Sequence, residues 1–118
     1  MTAGQAPRVG VVIPSYRGGS DLLRALRSIR ASQWQPSTVI VVDNASDDGS
    51  IPAVEREFPE VTVLINGRNE GFGTACNRGL GQARQRHQEL VLLLNQDAIL
   101  EPEALGSMVE LAVRRPQA

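Results

Sequence analysis

Four times in this chain an aliphatic run gives way at once to polar residues that can donate, accept or carry charge. Pro14, Ser15 and Tyr16 follow "VGVVI", and Asp43, Asn44, Ser46, Asp47 and Asp48 follow or lie just past "VIVV". Arg68 and Asn69 come shortly after "VTVLI", and Asn95, Gln96 and Asp97 follow "LVLLL". These residue types suit a nucleoside diphosphate. Tyr16 offers an aromatic face to a base, and Asp43 can accept from a base N–H. Arg68 can bind phosphate or hold a carboxylate, while Gly71 and Gly73 let backbone approach a ligand near a helix N-terminus. Asp97 supplies a hard oxygen for Mg²⁺ or Mn²⁺, cations that take one or two protein carboxylates and complete their shell with water and substrate phosphates.

Each loop by itself also reads as turn chemistry, because Asn, Asp and Ser side chains bond to nearby backbone. Asp47 and Asp48, in "SDDGS", fit a ribose contact and a turn or helix cap equally well. The elements that carry the loops decide between these readings.

"RVGVVIP" predicts a first strand over residues 8 to 13, stopped by Pro14, which cannot donate to a ladder. Leu22, Leu23, Ala25, Leu26 and Ile29 recur at helical spacing from Asp21 to about Ala31, with Ser20 as the cap. A second strand spans 38 to 42, "IPAVEREF" forms a short helix capped by Ser50, and "VTVLIN" is a third strand. A helix opens near Phe72 with Phe72, Cys76, Leu80 and Ala83 on one face, and Gly79 and Gly81 allow it to approach a sheet closely. "ELVLLL" is the fourth strand, and Pro102 begins a last helix reaching about Arg114 with Leu105, Met108, Val109 and Ala112 inward.

Strands that are apolar throughout, alternating with helices, indicate an α/β fold: a three-layer, open, mostly parallel sheet with helices on both faces. In such a sheet the loops after successive strands gather at one edge, and ligands bind where strand order reverses. All four polar stretches fall there. Their convergence favours a ligand site over four unrelated turns.

Composition narrows the class. Twelve basic against thirteen acidic residues give a net charge of -1, which implies no broad attraction to nucleic acid or anionic lipid. A single cysteine and a single histidine exclude an internal disulfide and a clustered zinc site, so any metal is oxygen-bound. Cys76 is expected to pack as a small apolar residue, Trp34 to cover the core, and His87, Arg114 and Arg115 to interact with helix C-terminal carbonyls. No apolar run approaches the roughly 20 residues of a membrane span, so a cytoplasmic chain with no transmembrane segment is expected, with residues 1 to 7 as a flexible tail.

At these residues the chain resembles the family 2 glycosyltransferases, inverting enzymes of the GT-A fold that use nucleotide sugars. The matching stretches are "VVIPSYRGGSDLLRALRSI", "VIVVDNASDDGS", "NEGFGTACNRGL" and "VLLLNQDAILEPEAL", in the family's order and spacing. The "DNASDDGS" and "NQDA" forms look most like the bacterial rhamnosyltransferase-like branch that builds cell-surface polysaccharides. The resemblance implies that Pro14 and Tyr16 line a nucleotide pocket, that Asp43 contacts the base, and that Arg68, Asn69 and Asn77 border the diphosphate or ribose. It implies Asp97 as the metal-binding end of an Asp-x-Asp motif, with Mg²⁺ or Mn²⁺ as cofactor. Asn95 stands where many members have the first Asp, still beside the nucleotide, and Arg17 replaces an Asn common after the Tyr.

The implied donor is a UDP-, dTDP- or GDP-linked sugar and the implied acceptor a glycan or lipid-linked hydroxyl, which would place the protein in the cytoplasm or against the inner face of the membrane. Family members carry acceptor elements and an acidic general base in a later half of the domain. Residues 8 to 118 are therefore expected to be the nucleotide-sugar-binding part, with the base beyond Ala118. A non-catalytic nucleotide-binding or interaction module of the same fold is the alternative. A phosphoacceptor receiver domain lacks its acidic pair, since Pro14, Ser15 and Tyr16 occupy that place, and no Gly-x-Gly-x-x-Gly follows the first strand.

Overall fold

The computed structural model describes residues 6–114. Residues 1–5 of the expected tail and Arg115 of the expected helix end lie outside them. The strands are β1 (Val9–Ser15), β2 (Thr38–Asp43), β3 (Thr62–Ile65) and β4 (Leu90–Leu93). The helices are α1 (Gly19–Arg30), α2 (Ser50–Glu57), α3 (Phe72–Gln85) and α4 (Ala104–Arg114). The strands form one sheet in the order β3-β2-β1-β4, and every pairing is parallel.

Residue alternation along β1 separates the two faces. Val11 and Ile13 pack with Val41, with Leu22, Leu26 and Ile29 of α1, and with Ile51 and Val54 of α2. Val9 points the same way and meets Leu105 and Val109 of α4, with Trp34 packed beside them as a cover. On the opposite face Val12, Ile40 and Val42 meet Ala75 and Ala83 of α3. The result is three layers: α1, α2 and α4, then the sheet, then α3.

Pro14 does not end β1, which runs on to Ser15. The Val12 carbonyl accepts from Leu94 N–H at 2.9 Å on the β4 side, so by alternation the Pro14 nitrogen faces that side as well. Pairing with β4 has already finished at Leu93, so the missing N–H breaks no ladder bond.

Both predicted caps are displaced. Ser20 lies inside α1, whose cap position is Gly18, and Ser50 is the first residue of α2, after Gly49 in the left-handed conformation at φ 84°. Pro102 sits in a turn before α4 rather than within it. The inward face of α3 is Ala75, Cys76, Gly79 and Ala83, whereas Phe72 is 60% exposed. Phe72 is the first helical residue, beyond the edge of the sheet, so the helical period has nothing to bury it against. Burial raises the Cys76 thiol above its usual pKa, in keeping with a packing role.

Gly79 shows why α3 can lie so close. A Cβ there would overlap Val12 Cγ1 and stand 3.1 Å from Val42 Cγ2, while one at Gly81 would meet nothing. Gly79→Ala is expected to lower stability by about 1–2 kcal/mol, because overpacking outweighs the gain in helix propensity. Gly81→Ala should raise it by about 0.5–1 kcal/mol. Thermal or urea denaturation of the two variants gives opposite signs if the contact is as described.

Candidate functional site

Strand order reverses between β1 and β4: from β1 the sheet grows through β2 to β3 on one side, and β4 then adds on the other. The loops after β1 and β4 are therefore neighbours at the carboxyl edge, where a crevice is expected. A cavity of about 380 Å³ opens there. Pro14, Ser15 and Tyr16 form one wall, Asn95, Gln96 and Asp97 another, and Asn44, Asn69, Gly71 and Phe72 the rest. A larger cleft of about 560 Å³ lies between Trp34 and α4 at the other end of the strands, but it holds none of the strand-end residues. Chemistry rather than volume selects the smaller one.

The structure brings Pro14, Tyr16, Asn69, Asn95 and Asp97 together on this cavity. It does not place Asp43, Arg68 or Asn77 on its wall. Asp43 is 1% exposed, and its two carboxylate oxygens accept from Ser46, the backbone N–H at 2.8 Å and the hydroxyl at 2.6 Å. Ser46 Oγ in turn accepts from Arg17 N–H at 2.8 Å. Asp43 thus fixes the β2 loop against the β1 loop. Arg68 is solvent-exposed, 3.9 Å from Glu70, and borders a shallow outer depression that shares Asn69 with the cavity. Asn77 is exposed on α3.

Sequence reasoning missed the residues that hold the third loop. Buried Asn44 accepts from Asn66 Nδ2 at 2.7 Å and from Glu70 N–H at 3.3 Å, and its own Nδ2 donates to the Gly71 carbonyl at 3.2 Å. Arg78 donates to Asn66 Oδ1 from α3. A chain of amides therefore runs from α3 to the Asn69–Gly71 wall. Arg17, at φ 50°, carries its guanidinium 5.6 Å from the Tyr16 ring centre and pairs with Asp47 at 3.0 Å. Tyr16 itself is 41% exposed, so part of the residue is accessible at the cavity it lines.

Asp48 belongs to the scaffold. Its Oδ1 accepts from Ser50 N–H at 3.0 Å and from Ser50 Oγ at 2.6 Å, just ahead of α2. Those donors hold its carboxyl below the usual carboxylate range. The stabilisation is present above the unfolded pKa and is lost as pH falls through the lowered folded value. Asp48→Ala should cost about 1 kcal/mol at neutral pH and progressively less in acid, measured by denaturant titration across pH.

Asp43 and Asp48 accept hydrogen bonds from Ser46 and Ser50, whereas among the described residues none reaches the Asp97 carboxylate. Among the described residues no ion pair engages its carboxylate, although it lies in a turn closed by Ala98 N–H to the Asn95 carbonyl at 3.0 Å. The turn chemistry is real, and it aims an unpaired acid at the cavity.

The model of Glycosyl transferase family 2 matches residues 10–118. The chain belongs to that family. An L-rhamnosyltransferase of Mycobacterium tuberculosis, named as acting on N-acetylglucosaminyl-diphospho-decaprenol, is 31% identical over 116 residues, covering 92% of this chain and 38% of the relative. The S. aureus TarS 1–349 structure in complex with UDP superposes with TM-score 0.80 at 23% identity, over 92% of this chain and 33% of that one. The mannosyltransferase PcManGT from Pyrobaculum calidifontis, in complex with GDP-Man and Mn²⁺, superposes with TM-score 0.75 at 28% identity, over 90% and 32%. The fold is that of GT-A glycosyltransferases, and the chain spans about a third of the length of these proteins.

Within a family 2 frame the donor set fits a hard divalent ion. Asp97 offers one unpaired carboxylate with the Asn95 side chain on the same wall, and the described residues hold no group of three or more His, Cys, Asp or Glu that would cage an ion without substrate. Mg²⁺ and Mn²⁺ suit such a partial shell because phosphate oxygens complete it.

Proposed function

We propose that these residues form the donor-binding part of a glycosyltransferase that moves a sugar, with inversion, from a nucleoside diphosphate sugar to a hydroxyl acceptor. The observation that carries this reading is the meeting, in one cavity at the sheet's switch point, of the partly accessible aromatic Tyr16 and an unpaired carboxylate on Asp97. The first suits a base and the second a metal-bound diphosphate. Bound there, the ion would polarise the diphosphate as a leaving group. Asn69, whose Oδ1 accepts from Gly71 N–H at 3.0 Å, would offer its side-chain Nδ2 to the phosphates beside the N-terminus of α3.

We assign Asp43 to the base side: its hold on Ser46 fixes the loop, and a remaining lone pair would accept from a base N–H. Arg68 and Asn77 are assigned to the diphosphate or ribose side, reached over the outer rim that Asn69 shares. The general base that deprotonates the acceptor is placed outside these residues, in keeping with relatives about three times as long. The rhamnosyltransferase relative, named for a decaprenol-linked diphosphate, supports a lipid-linked acceptor, and relatives named for succinoglycan biosynthesis and O-antigen chains support a role in surface polysaccharide assembly; we place that role at the inner face of the membrane. No helix among the described residues is long and apolar enough to cross a membrane.

Titration calorimetry with UDP, dTDP and GDP, with and without Mn²⁺, tests the donor reading. One nucleotide should bind, and Mn²⁺ should tighten it. A folded chain that binds none of the three in either condition overturns the assignment.

A further inference from the structure

The loops after β1 and β4 are joined by one side chain. Gln96 Oε1 accepts from Tyr16 N–H at 2.9 Å, and Gln96 Nε2 donates to the Tyr16 carbonyl at 3.2 Å. The primary amide thus reads both backbone groups of Tyr16 at once, as a neighbouring strand would, beyond the point where β1 and β4 stop pairing. A second observation agrees. Gly18 leaves space for the amide: a Cβ there would stand 3.0 Å from Gln96 Oε1 and 2.8 Å from Leu22 Cβ.

From this geometry, and resting on the donor-binding reading above, we infer that Gln96 is a positioning residue that fixes the Tyr16 ring in register with Asp97. Its neighbours in sequence are Asn95 and Asp97, so whatever orients the Gln96 backbone also orients the metal-side carboxylate. Its partner carries the aromatic face. The clamp sets the spacing between the base end and the diphosphate end of one ligand, and neither end needs to touch Gln96. An amide is the only common side chain that provides a donor and an acceptor side by side in this way at neutral pH. A carboxylate offers two acceptors, one of which would face the Tyr16 carbonyl.

Calorimetry with the nucleotide that binds best in Mn²⁺ is the test, on wild type, Gln96→Ala and Gln96→Glu, with Tyr16 amide hydrogen exchange followed without ligand. Gln96→Ala should bind about tenfold more weakly, the effect of two lost hydrogen bonds. Gln96→Glu, of nearly the same size and shape, should show a similar deficit, because a carboxylate turns an acceptor toward the Tyr16 carbonyl. A role confined to packing would spare Gln96→Glu, which keeps the volume and loses only the donor. Tyr16 N–H should exchange faster in Gln96→Ala than in wild type. Wild-type affinity in Gln96→Ala or in Gln96→Glu overturns the inference. Where wild type binds no nucleotide, the donor reading fails by itself and the clamp is judged on exchange, with equal Tyr16 rates in wild type and Gln96→Ala overturning it.

Discussion

Asp97→Asn should remove the metal-dependent part of nucleotide binding while leaving the metal-free part intact. The carboxylate is unpaired and lines the cavity, so its charge is available to an ion rather than committed to the fold. Losing it should weaken binding in Mn²⁺ by about a hundredfold, equivalent to roughly 3 kcal/mol. Without metal the sign should reverse or vanish, because a carboxylate beside a diphosphate repels it. Calorimetry in Mn²⁺ and in EDTA separates the two terms. A variant that binds as wild type does in Mn²⁺ would return Asn95–Ala98 to a simple turn. Stability should change little, since no ion pair is broken.

Asn44→Ala should have the largest effect on the fold. Three hydrogen bonds converge on this buried amide, and truncation leaves the Glu70 N–H, the Gly71 carbonyl and half of Asn66 without their partner. The buried Asn66 loses a partner at about 1–3 kcal/mol, and the exposed Glu70 and Gly71 groups add less because water replaces part of each bond, so a total of about 2–3 kcal/mol is expected. A fall in Tm of roughly 10 °C or more would follow for a domain of this size. Hydrogen exchange at Glu70 should rise at the same time, because the Asn69–Gly71 wall loses its tether. Unchanged melting with unchanged exchange would show that Asn44 holds nothing.

The element order and the edge of the sheet that bears the site are readable in the sequence because they follow from strong local signals. Continuous apolar runs such as Val39–Val42 and Leu90–Leu94 are too short for core helices and read as strands, and parallel connection then forces their ends together. Caps were less readable. Ser20 and Ser50 have the right residue type, yet the positions are occupied by Gly18 and by Gly49 in the left-handed region, which backbone geometry decides and composition does not. Phe72 follows the helical period of α3 but falls beyond the sheet that the period was to bury it against.

The site divides in the same way. Tyr16 and Asp97 announce themselves through chemistry that a core does not need. Gln96, Asn44 and Asn66 do not, because polar residues at strand ends resemble turn formers until the topology shows what lies opposite them. The Gln96–Tyr16 pair spans the chain from the first strand to the fourth, and no spacing rule links two such distant residues. Asp43 reads as a ligand contact by type and Asp48 equally as a contact or a cap, yet Ser46 and Ser50 donate to their oxygens.

The pairing of Val9 with Leu90 has a kinetic meaning. Contacts so remote along the chain carry a high loop-closure entropy, and contact order of this kind slows folding. The β1–β2 and β2–β3 pairings close much shorter loops. A chain with those three strands docked would already present Tyr16 and Asp43, but Asp97 would still be adrift. On the proposed reading, nucleotide capture in the presence of Mn²⁺ would therefore report the arrival of the fourth strand, the most distant contact in the sheet.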